Sequence, residues 1–176
     1  QPPLITTSLY LIGDLFRSHP DIMLPSAPIF INQLLENIES DQYNDEIVYL
    51  SLVQLGDIIR NCNNSEIVLP FRDRLMIVLR NIGHYNYDVY DKQQLTTMSL
   101  FIEGIILLSG AIIKTFSIDL AFLADENNQD ILFDFRFHIN PDVLQSSGIS
   151  VNLILFIKDA LSNRVAARKF NTKLNH

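Results

Sequence analysis

The strongest constraint on this chain is a pattern that occurs twice. Ser8-Leu9-Tyr10-Leu11-Ile12-Gly13-Asp14-Leu15-Phe16-Arg17 returns 43 residues later as Ser51-Leu52-Val53-Gln54-Leu55-Gly56-Asp57-Ile58-Ile59-Arg60, with Ser, Leu, Gly, Asp and Arg at the same spacing. A polar connector follows each copy, then Asp21-Ile22-Met23-Leu24-Pro25 in the first and Glu66-Ile67-Val68-Leu69-Pro70 in the second. Next comes an apolar-periodic segment, 28–39 and 71–82, whose ends Leu34-Leu35-Glu36-Asn37-Ile38 and Val78-Leu79-Arg80-Asn81-Ile82 correspond. Ser99-Leu100-Phe101-Ile102-Glu103-Gly104 is a fainter third copy, 48 residues after the second, with Ile105 where the motif has Asp.

Each unit therefore reads as helix, turn, helix. Helical hairpins recurring at about 40 to 47 residues are the signature of HEAT and armadillo arrays, because a hairpin with two apolar faces buries them only by stacking on its neighbours. The expected fold is all-α, a HEAT-repeat α-solenoid of about three to four repeats, with units near 4–42, 43–90, 91–140 and 141–176. Composition agrees: 48% of residues are hydrophobic and 19% charged, Gly and Pro number only 6 and 7, and mean hydropathy is +0.16, enough apolar surface for a packed core.

Several function classes fall away. Thirteen basic against twenty acidic residues leave a net charge of -7, the wrong sign for gripping a phosphate backbone, so nucleic acid is not expected as a partner. The lone Cys62 cannot form an internal disulfide, and His19, His84, His138 and His176 are scattered, so neither a disulfide scaffold nor a metal site is expected and the compartment reads as reducing. The most apolar run, 105–113, is too short to span a bilayer. Gln1-Pro2-Pro3 opens the chain without a secretory leader or an initiator Met, which reads as a fragment. No P-loop, dinucleotide fingerprint or nucleophile elbow is present; no enzymatic activity and no cofactor are expected.

Within the repeat, Leu9, Ile12 and Phe16 and their counterparts Leu52, Leu55 and Ile59 form core-facing stripes at three- and four-residue spacing. Gly13 and Gly56 each cost about 1 kcal/mol in a helix interior relative to Ala, and close approach of a neighbouring helix is the expected compensation. Asp14 with Arg17, and Asp57 with Arg60, lie three apart where side chains meet. Their presence in two equivalent copies points to a repeat-to-repeat polar ladder, since a reaction centre is assembled once. Pro25 and Pro70 suit a turn or a first helical position.

Beyond Phe116 the pattern fades. Asn127-Asn128-Gln129 reads as a loop, the segment 131–138 as a short strand or a divergent helix, Asn140-Pro141-Asp142 as a turn, and Ser150 as the cap of a helix running to about Leu161. The basic tail 164–173 reads as the solvated face of a last helix. Asn63-Asn64-Ser65 matches a glycosylation sequon by chance, and His84 with Tyr85 and Tyr87 reads as an exposed turn.

The units resemble the C-terminal HEAT repeats of the importin-β (karyopherin-β) family of nuclear transport receptors. The resemblance rests on Ile12-Gly13-Asp14 with Pro25, Leu55-Gly56-Asp57 with Pro70, the acidic Tyr-bearing stretch 85–91, and Glu103-Gly104-Ile105-Ile106, and it covers roughly 9–113. It implies a segment shuttling between cytoplasm and nucleus that binds cargo or an importin-α-type adaptor and Phe-Gly nucleoporins, with Ran in its GTP form acting through the parent chain. Glu36, Glu39, Asp41 and Asp45 would then face basic partner segments. Tyr10, Phe16, Ile59 and Phe101 would be the groove candidates for nucleoporin phenylalanines, although the core is the stronger expectation for each of them. A HEAT scaffold of another complex, such as a phosphatase regulatory subunit or a coat adaptor, is the competing expectation.

Overall fold

The computed structural model describes residues 2–83, 92–133, 147–163 and 165–168, and every regular element among them is helical. The His84 cluster, the stretch 85–91, the Phe135–His138 part of the expected strand, the Asn140 turn and most of the basic tail lie outside the described residues. The helices are α1 (Pro2–Ser18), α2 (Pro20–Met23), α3 (Ala27–Glu39), α4 (Asp45–Cys62), α5 (Ser65–Val68), α6 (Arg72–Gly83), α7 (Lys92–Thr115), α8 (Leu120–Ala124), α9 (Glu126–Phe133) and α10 (Ser147–Ser162).

The recurring motif becomes a recurring local structure. A long first helix, a short turn of helix and a second helix appear as α1–α2–α3, α4–α5–α6 and α7–α8–α9. Capping fixes the joints. The Asn44 side chain accepts the Ile47 N–H at 3.1 Å to start α4, and Asp45 and Glu46 place acid where the helix dipole favours it. At the far end Asn63 adopts the left-handed conformation (φ 43°) with its N–H on the Ile59 carbonyl. Asn64 then starts α5 at once by accepting from the Glu66 and Ile67 N–H groups at 3.0 and 3.3 Å. The two asparagines that spell the sequon thus do the work of a turn. Pro25 and Pro70 sit in the 3₁₀ turns Leu24–Ser26 and Leu69–Phe71 that lead into α3 and α6, where a missing N–H costs nothing.

The third unit departs from the sequence reading. Asn127, Asn128 and Gln129 are helical, in α9, and so are Ile131 to Phe133, where a strand was an option. The cause is side-chain capping. Asp119 accepts the Phe122 N–H and Asp125 the Asn128 N–H, both at 3.0 Å, so each acid starts a helix. Asn128 Nδ2 and Gln129 Nε2 donate back to the Phe122 and Leu123 carbonyls at 3.2 and 2.8 Å, satisfying the end of α8. Polar residues that suggest a loop are here the fasteners between two short helices.

Packing follows chain order: α1 lies on α4, α4 on α7 and α7 on α10, while the second helices α3, α6 and α9 touch in the same order. The core is one cluster running through all of them, from Leu9 and Phe16 through Leu52, Leu55, Ile58 and Ile59 to Leu108, Ile112, Phe133 and Phe156. Helix α4 is its centre, packed against α1, α3 and α7. It meets α7 at unusually close range: a Cβ on Gly56 would lie 2.9 Å from Leu107 Cγ and 3.1 Å from the Leu108 backbone nitrogen, and one on Gly104 would lie 2.7 Å from Leu52 Cδ2. The glycine expected to admit a neighbouring helix does so, and α7 answers with a glycine of its own. Gly56→Leu should destabilise the chain by about 1–3 kcal/mol or more through overpacking; an unchanged urea midpoint would mean the two helices are not in contact there.

Candidate functional site

The polar residues singled out by the repeat converge along the first helices. On α1, Arg17 Nη2 donates to Asp14 Oδ1 one turn back, while Nη1 reaches Asp57 Oδ2 on α4 at 2.6 Å. Arg17 is thus the shared donor of a pair within α1 and of a cross-helix pair to α4. Arg60 behaves differently from its counterpart. It does not close on Asp57 three residues away; its Nη2 donates to Asp159 Oδ2 on α10 at 2.5 Å, with side chains only 14% and 8% exposed.

Helix α7 packs against both α4 and α10, and Gly110 lets the bridge pass. A Cβ there would sit 3.1 Å from Arg60 Nη2 and 3.4 Å from Asp159 Oδ2. The third unit's loss of the motif acid is consistent with this geometry. Ile105 and Leu108 stand at the positions of Asp57 and Arg60, and both are buried in the core.

Electrostatics follow burial. Desolvation pushes the Asp57 carboxyl above its ordinary value of 3.8, overriding the pull of Arg17 and Arg60 in the other direction. Glu103 on α7 is raised as well, first by burial and then by the charge of Asp57. Arg17 is held above its usual range, chiefly by its hydrogen bond to Asp14. Tyr49 is pushed up to about 12 by burial and next by Tyr10, its hydrogen-bond partner. Burial pushes the Cys62 thiol up to about 11, so at neutral pH it is protonated and a poor nucleophile. Gln54, 2% exposed, lays its carboxamide over Gly13, where a Cβ would collide with it, and its Oε1 is buried without a hydrogen-bond partner among the described residues.

The second helices carry their own rungs. Glu39 on α3 takes a bidentate grip from Arg74 on α6, at 3.1 Å from Nε and 2.7 Å from Nη2, while Arg74 Nη1 donates to Asn32 Oδ1 at 2.8 Å. Glu36 accepts from Asn32 Nδ2 at 2.8 Å, and Asp41 and Asp45 are exposed around the start of α4. Of the acidic candidates, then, Glu39 is a joint between units, whereas Glu36, Asp41 and Asp45 remain on the surface. Among the aromatic and aliphatic candidates, Phe16 and Ile59 are 0% exposed. They are core residues beyond the reach of a partner, because the stripes they occupy close against the next helices. Tyr10 is exposed and Phe101 half-buried.

One cleft, of about 400 Å³, opens between the α5 turn and the end of α7, lined by Ser65, Glu66, Leu69, Phe116, Ile118 and Asp119. Arg72 engages two of these lining residues, with Nη1 on Asp119 Oδ2 at 3.1 Å and its guanidinium 5.7 Å from the Phe116 centroid, and it also lies over the Phe122 ring at 4.7 Å. Sequence reasoning missed Asp159, which lies outside the repeated motif, and Gln54, which stands inside it where the first copy has Leu11. Among the described residues no helix is long and apolar enough to cross a membrane.

Comparison of the chain with protein-family models, curated proteins and solved structures finds no match.

Two outcomes follow for the ladder. Because the folded-state pKa of Asp57 is raised, the native state holds its proton more tightly than the unfolded chain, so this group contributes stability below its ordinary value that is lost as pH rises through the raised one. Asp57→Asn should therefore gain on the wild type as pH rises through that window, read from urea midpoints across a pH series; a variant whose midpoint falls relative to the wild type as pH rises would contradict it. Asp14→Ala, at a side chain 69% exposed, should cost less than about 1 kcal/mol.

Proposed function

We propose that the chain is a HEAT-repeat α-solenoid segment that serves as a protein-binding scaffold, in the specific form of a nuclear transport receptor segment. The observation that carries the scaffold reading is the order of packing. First helices and second helices meet their successors in chain sequence, and the ionic groups sit at those joints. Of the residues that would otherwise compete as catalytic candidates, Arg17, Asp57 and Arg60 are engaged in ion pairs between helices, and Asp14 pairs with Arg17 on its own helix.

The transport form rests on the motif resemblance in 9–113 and on charge. With a net charge of -7 and with Glu36, Asp41 and Asp45 at the surface, the chain is suited to attract a basic cargo or an importin-α-type adaptor segment. Tyr10 and Phe101 are the aromatic positions open to Phe-Gly nucleoporins, and Ran in its GTP form would act through the parent chain. Such a segment would shuttle between cytoplasm and nucleus. A scaffold subunit of another multiprotein complex uses the same architecture with a fixed partner.

The test is retention of a Phe-Gly nucleoporin segment, an importin-α-type basic peptide and GTP-loaded Ran on the immobilised chain at physiological salt. The transport form predicts retention of the nucleoporin segment or the basic peptide. Asp41→Lys with Asp45→Lys should then weaken the basic peptide by about tenfold or more and flatten its salt dependence. Retention of none of the three, with stable capture of one catalytic subunit, would favour the fixed scaffold.

A further inference from the structure

Three aliphatic side chains that the core does not use collect at one place inside the chain. Ile118 is 85% exposed, Leu120 55% and Leu69 51%, and none of them belongs to the core or packs against it. A single exposed aliphatic is ordinary on a protein surface, whereas a group around a concave site is informative. Leu69 and Ile118 line the cleft of about 400 Å³, together with the buried Phe116. The helix caps show that this lining is particular to the place. Asn64 and Asp119 each start the short helix that follows a first helix. Three residues and one residue before them stand Asn61 and Asn63 in one case, Phe116 and Ile118 in the other. The cleft's walls are α5 with the turn after it and the chain leaving α7, both interior to the packed series α1, α4, α7 and α10. It therefore does not depend on what lies beyond either end of the sequence.

The charge around it has one sign. Helices α1, α4 and α7 run parallel, since Gly13 meets Gln54 and Arg17 meets Asp57, while Leu52 meets Gly104 and Gly56 meets Leu107. The short helices α2, α5 and α8 consequently lie at one end of the packed series. The exposed charged side chains on these helices and in the first turns of α6 and α9 are Asp21, Glu66, Asp73, Asp125 and Glu126, all acidic. Arg72 and Arg74, half-buried at the start of α6, are paired with Asp119 and Glu39. Within the cleft Asp119 is already used, its Oδ1 by the Phe122 N–H and its Oδ2 by Arg72. Glu66 is the acid left at the rim, exposed and without an ion pair among the described residues.

We propose that this cleft binds a short segment of a partner protein in which an aliphatic side chain is flanked by lysine or arginine. The aliphatic side chain sits between Leu69 and Ile118 and against Phe116, and a basic one reaches Glu66. The volume is at the small end of the range of about 300–1,000 Å³ for pockets that enclose a ligand, which suits a few side chains and not a whole helix. The site goes beyond the transport form of the scaffold and is separable from it. Asp41 and Asp45 lie around the start of α4 and the cleft beyond its far end, about 27 Å away along a helix of 18 residues, or about three Debye lengths at physiological salt.

Fluorescence anisotropy with three labelled heptapeptides on the full chain tests it: Gly-Ser-Lys-Leu-Lys-Ser-Gly, its Lys-Ala-Lys analogue and its Glu-Leu-Glu analogue. The Lys-Leu-Lys peptide should bind about tenfold or more tighter than Lys-Ala-Lys and about fivefold or more tighter than Glu-Leu-Glu. Ile118→Ser should abolish the advantage of leucine over alanine, and Glu66→Lys should reverse the preference between the basic and acidic peptides. Helical circular dichroism and thermal melts should match the wild type for both, as expected of exposed positions, and Leu69→Ser replaces Ile118→Ser if that variant fails to fold. Asp41→Lys with Asp45→Lys should leave all three affinities within about twofold. No binding to the full chain, equal binding of the leucine and alanine peptides, or a leucine preference that survives both serine variants would each overturn the proposal. Asn163 donates to the Ser117 carbonyl at 2.7 Å, which puts the end of α10 beside the cleft. Binding seen only after removal of 169–176 would therefore overturn the proposal in favour of the chain's own basic tail as occupant.

Discussion

The rest of the fold depends on how closely α4 and α7 approach. Gly56 rests on the backbone of α7 and Gly104 rests on Leu52 of α4, so the two helices share their narrowest contact from both sides. Glycine in a helix interior sacrifices about 1 kcal/mol of propensity. The compensation is dispersion and apolar burial along a contact with no room for a side chain. With α7 so near on one flank and α1 and α3 on the others, α4 has little free surface. Two of its charged residues, Asp57 and Arg60, lie at the edge of the contact, where they find partners.

They find them on different helices. Asp57 reaches back to Arg17 on α1, and Arg60 reaches forward past α7 to Asp159 on α10. Helix α6 repeats the arrangement in the second layer, with Arg74 reaching back to Glu39 on α3 and Arg72 forward to Asp119 at the start of α8. The stretch α4–α6 is therefore tied by ion pairs to α1 and α3 before it and to the start of α8 and to α10 after it. These pairs differ in weight. Exposed ones such as Arg17–Asp14 contribute little, whereas a pair as enclosed as Arg60–Asp159 leaves a stranded charge when either member is lost. The bridge over α7 exists because residue 110 has no side chain to block it.

What could be read in the sequence was what the repeat encodes. The helix–turn–helix pattern, the core stripes through Leu9, Phe16, Leu52 and Ile59, the packing role of Gly56 and the pair of Asp14 with Arg17 all follow from residues that recur at fixed spacing. Arg60 was legible as a ladder residue, but its partner was not. Asp159 is 99 positions away, on a helix outside the motif, and only the stacking of three helices brings the two together. The helices around Asn127 were hidden for a different reason. Asn and Gln favour loops because they bond to backbone groups, and here those same bonds close two short helices on each other. Phe16 and Ile59 failed as partner sites because apolar periodicity does not distinguish a groove from a core.

Helix packing in chain order, glycine contacts and cross-helix ion pairs form one account in which the polar residues of the repeated motif hold packed helices together. The measurement that tests it most directly is a double-mutant cycle on Arg60→Ala and Asp159→Ala, read by urea unfolding. These residues interact only if α4, α7 and α10 pack in order with the bridge crossing at Gly110. The account predicts a coupling energy of about 1–3 kcal/mol, as for residues in one buried network. Additive effects, with coupling below about 0.5 kcal/mol, would contradict the packing order on which everything else rests.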